Sequence, residues 1–460
     1  MSQHAHEKAR VPFWRNPQIR AWIYQFIMLG GLLWVAFTMY QNTLANLEKR
    51  GIGSGFGFLQ NEAGFNIGET PPLPVLQGGF LWFIAALIVG LFASRAIAVW
   101  LKKNDTTITA SNKSVFAVIT LVGIIPVLVL FLGSDSISFI RYTESSSYVT
   151  ALLTGFANTI KVTILGCIFS TILGLFVALG RLSPNWLISK LCSWYVELNR
   201  NLPVLLQLFF WYFIVLQQLP SVRKSIDIGG WLILNKRGLY LPAPVAQSGA
   251  WPFCLAIGAA LIGIYFIYRR SIRLLNERGT PGKIVLPSIA LLVALPTLTW
   301  LTTGTPFTFE YPVLKGFNYR GGIDLTPEFT ALLVGLTVYV SAFNAEIIRS
   351  GIQAVSNGQR EAARALALKE RHVMRLVILP QAMRIIVPPM TSEYLAIAKN
   401  SSLAVAIGYP DFVSVGGTIL NQSGQAVEIV GIWMGVYLSI SLLISLGMNW
   451  YNAKIKLVER

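Results

Sequence analysis

The chain has 460 residues, of which 54% are hydrophobic, 12% are aromatic and only 12% are charged, and its mean hydropathy is +0.59. Average proteins carry about 25% charged residues, so this composition excludes an ordinary soluble protein. The formal net charge of +17 would suit nucleic acid, but the basic residues cluster in alternate loops between apolar runs, a pattern typical of membrane proteins.

Long apolar runs predict an all-α polytopic membrane protein with about ten transmembrane helices, because a spanning helix needs roughly 20 predominantly apolar residues. The candidate runs are 22–40, 78–100, 115–133, 157–180, 194–219, 251–268, 284–303, 329–348, 385–398 and 428–448. The ninth run is short and contains Pro388 and Pro389, so we expect a broken helix that continues irregularly through residues 401–410. The charge pattern places both termini in the cytoplasm, although the loop at 220–250 opposes it with Arg223, Lys224, Lys236 and Arg237.

The runs divide the chain into four segments. Residues 1–150 form an N-terminal extension of three helices with a Gly-rich external loop, and residues 151–219 hold two further helices. Residues 220–328 carry two helices between long polar loops, and residues 329–455 carry the last three helices. No internal repeat is visible, which disfavours the many secondary transporters that are built from repeated halves.

Motifs for catalysis and nucleotide binding are absent from the sequence. The three histidines, His4, His6 and His372, form no HExxH motif and no Cys/His cluster for a metal. The stretch "GTPGKI" at 279–284 lacks the upstream glycine and the hydroxyl residue of a P-loop. A membrane-embedded enzyme is therefore disfavoured. If the chain carries out energy-driven transport, the energy must come from an ion gradient or from a partner.

Eight polar or charged side chains in or beside the apolar runs are candidates for a gate or a substrate pathway, because such groups in lipid usually face protein or water. They are Glu197, Arg200, Asn344, Glu346, Arg349, Glu393, Lys399 and Asn400. Pairing of the first two with the next three would satisfy the charges and brace a gate, with substrate binding as the alternative. The last three follow the two prolines, and broken helices at membrane depth often line a cavity, so we expect them along the substrate pathway.

One polar segment interrupts the apolar C-terminal part of the chain. Residues 361–380 read "EAARALALKERHVMRLVILP", with strong helix formers, Glu361 at the start and basic residues toward the end. We expect a short cytoplasmic helix between the eighth and ninth spans. Its small side chains suit a groove on another protein, and a surface connector or an anionic-lipid contact is the alternative.

The same segment resembles the EAA motif of ABC importer permeases, which runs EAA, three residues, Gly, nine residues, Ile, one residue, Leu-Pro. Here Ala367 replaces the glycine and Val377 replaces the isoleucine, while Leu379 and Pro380 match. The resemblance extends through "VELNRNLPVLLQLFFWYF", "AEIIRSGIQAVSNGQREAARALAL", "LPQAMRIIVPPMTSEYLAIAKNSSLAVAIGYPDF" and "SISLLISLGMNWYN". These stretches are similar to polar amino acid permeases, and the last two to the first permease subunit of general L-amino acid transporters.

This resemblance implies a type I ABC importer permease core of five helices, in 151–219 and 329–455, plus three N-terminal and two inserted helices. It implies an ATP-driven importer of L-amino acids whose cytoplasmic EAA loop, residues 356–380, docks on a partner ATPase. The implied ATPase-coupling residues are Glu361, Ala362, Ala363, Arg364, Ala367, Leu379 and Pro380. An ion-gradient-driven secondary amino acid carrier is the alternative, and the EAA motif argues against it.

The resemblance also implies partners and a location. The partners are a second permease subunit that is a different chain, two ATP-binding cassette subunits, a periplasmic amino acid-binding protein and membrane lipid, with no nucleic acid. The partner ATPase would bind ATP and Mg, and this chain would hold no cofactor, no metal and no catalytic residue. The implied location is the bacterial inner membrane.

Overall fold

The computed structural model describes residues 17–49, 55–76, 137–247, 250–278, 282 and 284–455. Within these residues, seven helical stretches are long and apolar enough to cross a membrane. They cover seven of the ten predicted spans. The predicted spans at 78–100 and 115–133 lie outside the described residues. The remaining one, at 194–219, takes a different form.

The described helices are α1 (Pro17–Lys49), α2 (Tyr148–Arg181), α3 (Trp186–Asn201), α4 (Val204–Leu216), α5 (Ala250–Arg278), α6 (Val285–Thr303), α7 (Pro327–Gln353), α8 (Asn357–Ala365), α9 (Leu379–Asn400), α10 (Phe412–Ser423) and α11 (Ala426–Ile455). Irregular turns flank some of them: 3₁₀ segments at Phe56–Gln60, Val222–Lys224 and Ser401–Ile407, a short turn at Glu370–His372 and a π-helical segment at Val373–Ile378. The seven spanning stretches lie in α1, α2, α5, α6, α7, α9 with its flanking turns, and α11.

The predicted fifth span is two helices rather than one. Helix α3 begins at an N-cap, where the Asn185 side chain accepts hydrogen bonds from the backbone N–H groups of Leu187 and Ile188. It ends at Leu202, which has an extended backbone. Leu202 directly precedes Pro203, and a proline disfavours the α conformation of the residue before it. Helix α4 then restarts after the proline and continues as a π-helix over Phe210–Leu216.

The predicted ninth span is longer and more regular than its prolines suggest. Helix α9 runs through Pro388 and Pro389 without interruption, so the expected break at this point is not observed. The irregular turns lie instead on either side, at Val373–Ile378 and at Ser401–Ile407. Neighbouring helices can support backbone groups that prolines leave unpaired in a membrane helix, which is why a proline pair does not have to break it.

The inserted segment contains β-structure where the sequence indicates only polar loops. The strands, numbered from the N-terminal pair onward, are β1 (Leu73–Leu76), β2 (Ile137–Ile140), β3 (Ile226–Ile228), β4 (Leu232–Asn235), β5 (Gly238–Leu241), β6 (Ala243–Ala246), β7 (Phe307–Glu310), β8 (Val313–Lys315), β9 (Asn318–Arg320) and β10 (Ile323–Leu325). One antiparallel sheet has the order β10-β5-β4-β3, and β1–β2, β6–β7 and β8–β9 form antiparallel pairs. The strands lie on both sides of α5 and α6 in sequence, so these helices form a hairpin that opens toward the sheets.

The chain divides into two compact units. One comprises the described residues up to Ala157 together with Phe412–Ser439. Its core includes buried side chains from the N-terminal loop, the start of α2, α10 and α11, among them Ala63, Tyr148 and Ile419. The hydroxyl of Tyr148 donates to Gln422 Oε1 at 3.2 Å, and the backbone N–H of Gly55 donates to Glu428 Oε1 at 3.0 Å. The described part of the Gly-rich loop therefore packs laterally on the helices of its own unit.

The other unit comprises Asn158–Asp411 and the residues from Ile440 onward. It has two buried clusters, and α7 contributes to both of them. Thr326 caps α7 by accepting a hydrogen bond from the backbone N–H of Phe329 at 3.2 Å, and Pro327 occupies the first turn. Helix α7 is therefore the central element of this unit.

Candidate functional site

The EAA loop connects α7 to α9 and contains a short helix, α8. Helix α8 ends at Ala365, and the chain then turns through Ala367 into the segment at Glu370–Ile378 that leads into α9. The helix predicted within 361–380 is thus interrupted at residues 366–369. The loop is a helix, a tight turn and a second helix rather than one continuous lever.

Burial of one alanine fixes α8 to the rest of the unit. Ala363 is 4% exposed and belongs to the same buried cluster as Val355, Val373 and Ile378. A side chain larger than a methyl group would not fit there without moving α8. The second alanine of the motif is therefore a packing residue, and it ties the loop to the ends of α7 and α9.

The turn after α8 has a left-handed residue at its centre. Ala367 has a φ of +54°, and it is the one non-glycine residue with positive φ in the described part of the chain. The backbone N–H of Ala367 donates to the Arg364 carbonyl at 2.8 Å, and that of Leu368 donates to the Ala363 carbonyl at 3.3 Å. Since glycine adopts this conformation most easily, the structure explains why the motif has glycine at this position.

Substitution of Ala367 tests this turn. Ala367→Gly should slow trypsin cleavage of the loop. An L-residue in the left-handed conformation costs about 1–2 kcal/mol, and glycine avoids this cost. Ala367→Val should open it about tenfold more often, because a β-branched residue is a clear outlier at positive φ. The rate of trypsin cleavage at the exposed Arg364, Lys369 and Arg371 measures this opening. Ala365→Val is the matched control, and equal cleavage rates for the two valine variants would contradict the turn.

The opposite face of α8 is exposed. At about 100° per residue, Glu361 and Ala365 lie on the side of the helix away from the buried Ala363, and both are exposed. Arg364 is also exposed, and its Nε donates to Glu370 Oε1 at 2.6 Å, an ion pair that bridges the turn and raises the pKa of Arg364 above its usual value. Ala362, Leu379 and Pro380 are likewise exposed. All of the predicted coupling residues except Ala363 are therefore exposed.

A second feature is a cavity of about 270 Å³ among α3, α7 and α9. Its lining residues are Arg200, Phe343, Glu346, Ile347, Pro389, Ser392 and Glu393. The structure thus brings together one predicted pathway residue from each of the three predicted groups. They face a common space even though α9 is not broken.

The ion pairs at this cavity differ from the predicted ones. Glu346 pairs with Arg181 of α2 and with Arg349 one turn further along α7. Arg200 instead lies with its guanidinium 5.2 Å from the centre of the Phe343 ring, and Glu197 is exposed. The predicted pairing of Glu197 and Arg200 with α7 is therefore not observed, and Glu346 pairs with Arg181 of α2 instead.

Besides Glu197 and Arg349, three more of the eight predicted pathway residues do not line the cavity. Asn344 is fully buried, and its Nδ2 donates to Ser170 Oγ of α2 at 3.3 Å. Lys399 is exposed and Asn400 half-buried at the end of α9. Asn344 therefore has the contacts of a helix-packing residue, and the other two lie away from the cavity. Within the described residues there is no group of three or more His, Cys, Asp or Glu side chains that could hold a metal.

Comparisons with known proteins identify the family of the chain. Residues 271–456 match the family described as "Binding-protein-dependent transport system inner membrane component". The chain is 41% identical over 449 residues to the "General L-amino acid transport system permease protein AapQ" of Rhizobium johnstonii, covering 97% of this chain and 94% of that protein. It is 39% identical over 446 residues to the "Putative amino-acid ABC transporter permease protein YhdX" of Escherichia coli, covering 97% and 96% of the two chains.

A third relative is the "Glutamate/glutamine/aspartate/asparagine transport system permease protein BztB" of Rhodobacter capsulatus. The identity to it is 38% over 355 residues, covering 70% of this chain and 83% of that protein. The first two matches cover 97% of this chain and so include the inserted segment and the EAA loop. The chain belongs to the family of ABC transporter permeases for amino acids.

Proposed function

We propose that the chain is the transmembrane subunit of an ATP-driven importer of L-amino acids, in which the EAA loop couples a partner ATPase to alternating access. The observation that carries this proposal is the structure of the loop. Helix α8 is held on its inner face by Ala363 and is exposed on its outer face around Glu361. A partner can therefore bind the outer face and displace the helix as a unit.

The displacement has a direct route to the cavity. The loop joins the end of α7 to the start of α9, and the same two helices supply most of the lining of the cavity, including Phe343 and Glu393. Pulling α8 away from the membrane would therefore change the spacing between two cavity walls. This arrangement supports coupling between ATPase closure and the opening of the pathway.

The ion pairs of Glu346 suit a gate brace. The pair with Arg181, at the end of α2, connects α2 to α7 beside the cavity, and the pair with Arg349 lies within α7. Ion pairs in a water-lined cavity can exchange partners as helices move, whereas a packed apolar contact would have to be broken. We assign Arg200 and Glu393 to the substrate pathway on the basis of their place in the cavity lining.

The partners follow from the family and from the names of the relatives. We propose a different chain as second permease subunit, two ATP-binding cassette subunits that bind ATP and Mg, and a periplasmic binding protein. The location would be the bacterial inner membrane with both termini in the cytoplasm. L-Amino acids are the proposed cargo because the relative from Rhizobium johnstonii is named as a general L-amino acid permease.

Gentle extraction of the tagged chain from its native membrane tests the proposal. We expect an ATP-binding cassette protein and a second permease to co-purify, together with ATP hydrolysis that an amino acid-loaded binding protein stimulates. A chain that is extracted alone and still transports amino acids in liposomes under an ion gradient would contradict it. In that case the EAA loop would be only a connector.

A further inference from the structure

A small aromatic surface lies at one end of the α5–α6 hairpin and has no role in the function proposed above. Strand β6 ends shortly before α5 begins, and β7 begins four residues after α6 ends. The ring of Phe253 in the first turn of α5 lies 6.2 Å from that of Phe307 in β7. The backbone N–H of Gln247 also donates to the Pro306 carbonyl at 3.0 Å. The β6–β7 pair is therefore fixed at the ends of the two helices.

The two faces of this pair have different chemistry. Successive side chains of a strand point to opposite faces, so Phe307 and Phe309 share one face while Thr308 and Glu310 share the other. On the polar face, Gln247 Nε2 donates to Thr308 Oγ1 at 2.8 Å. Both faces are exposed, but the polar face has a hydrogen bond within the protein, whereas the other face presents aromatic rings.

Two further rings enlarge the aromatic face. Trp231, in the turn between β3 and β4, lies with its ring 5.6 Å from the rings of both Phe309 and Tyr311. These three residues form what we call the aromatic cluster. Although they contact one another, Trp231 is 55% exposed, Phe309 49% and Tyr311 43%. Isolated exposed rings are common on proteins, but a contiguous exposed cluster indicates an interaction surface.

The length of α6 places this cluster at the membrane surface. Helix α6 has 19 residues, which at about 1.5 Å per residue span about 28 Å, close to the thickness of a bilayer's hydrocarbon core. Its side chains Leu286 and Leu301 are 74% and 76% exposed, so apolar surface continues along the helix. Because β7 starts directly beyond the end of α6, its aromatic face lies at the level of the lipid headgroups.

We propose that the aromatic cluster binds the phospholipid bilayer and anchors the sheet of the inserted segment in the headgroup layer. Tryptophan and tyrosine are enriched at this depth because their rings are apolar and their N–H and O–H groups bind water or headgroups. Lipid is the occupant, rather than a protein, because the surface is continuous with two helices whose exposed side chains face the bilayer.

Site-specific photo-crosslinking in the complete transporter, in its native membrane, tests this proposal. A benzophenone amino acid replaces Phe309 in one variant and Thr308, on the opposite face of β7, in the matched control. A third variant carries the same group at Leu301 of α6, where a lipid adduct shows that the chemistry works. Mass spectrometry of the irradiated chain then identifies the adducts, and this readout does not depend on transport activity.

We expect phospholipid adducts at positions 301 and 309, and about fivefold fewer at position 308, because adjacent residues of a strand face opposite sides. A protein adduct at position 309 in place of lipid would overturn the proposal and identify a docking partner instead. Lipid adducts at 301 without any at 309 would also overturn it. Neither outcome would affect the proposed transport function, which co-purification of the ATPase tests separately.

Discussion

Glu361→Lys is expected to lower amino acid uptake at least about tenfold, because reversing one partner of a charged contact at a docked interface costs about 2–5 kcal/mol. Glu361 is exposed on the face of α8 opposite the buried Ala363, so the substitution removes no contact of the core. The chain should still insert and reach wild-type levels in the membrane. The measurement is uptake of labelled amino acid together with ATP hydrolysis, and the uptake per ATP hydrolysed should decrease.

A matched control separates docking from a general charge effect. Glu277 is exposed near the C-terminal end of α5, and Glu277→Lys makes the same change in charge. It should leave uptake close to the wild-type rate. Full uptake by the Glu361 variant would contradict the docking role of α8. An equal loss of uptake in the two variants would show that the change in net charge, rather than α8, causes the loss.

Gly174→Val is expected to destabilise the permease by about 3 kcal/mol, at the upper end of the range for overpacked cores. A Cβ atom at Gly174 of α2 would lie 2.7 Å from the Cβ of Asn344 and 3.0 Å from the backbone carbonyl oxygen of Ser341. Backbone atoms cannot rotate away as a flexible side chain can, so α2 and α7 would have to separate. Small residues at such crossings are typical of membrane helices that pack closely.

The thermal stability of the detergent-purified variant measures this effect, through the temperature at which half of the protein aggregates. Gly258 is the control, since it lies on the membrane helix α5 and an added Cβ there meets no atom within 4 Å. Gly258→Val should leave the transition near the wild-type temperature. If Gly174→Val were as stable as the Gly258 variant, the close crossing of α2 and α7 would be wrong.

The sequence predicts the helices of this protein well and its strands poorly. Spans such as 284–303 can be predicted because a long apolar run in a membrane protein almost always forms a spanning helix. The strands of the inserted segment have only three or four residues, as in β3 and β8, too few for alternation of polar and apolar side chains to be distinguished from a loop. Two of the described pairings, β5 with β10 and β6 with β7, also join segments on either side of the α5–α6 hairpin, which local sequence does not show.

Prolines gave opposite outcomes in two helices. Pro203 ends a helix, and the predicted fifth span is divided there. Pro388 and Pro389 do not end α9, although the same rule predicted a break. Tertiary contacts in a membrane bundle can replace the missing hydrogen bonds, so proline alone does not predict a helix end.

The EAA loop was predictable from its motif, and the cavity was only partly so. The motif has glycine at the position of Ala367, and the positive φ of Ala367 explains that preference. Arg200, Glu346 and Glu393 were predicted as pathway candidates from their charge, and they line one cavity. The pairing of Glu346 with Arg181 was not predicted, because it depends on how α2 crosses α7 and the two residues are 165 positions apart.

The central claim is that ATP, not an ion gradient, drives transport through this chain. The most direct test is uptake of labelled L-amino acids into proteoliposomes that contain the purified complex and an external binding protein. We predict uptake that requires ATP on the side of the EAA loop and that continues when ionophores dissipate the ion gradients. Uptake without ATP that follows an imposed gradient and stops with ionophores would contradict the claim.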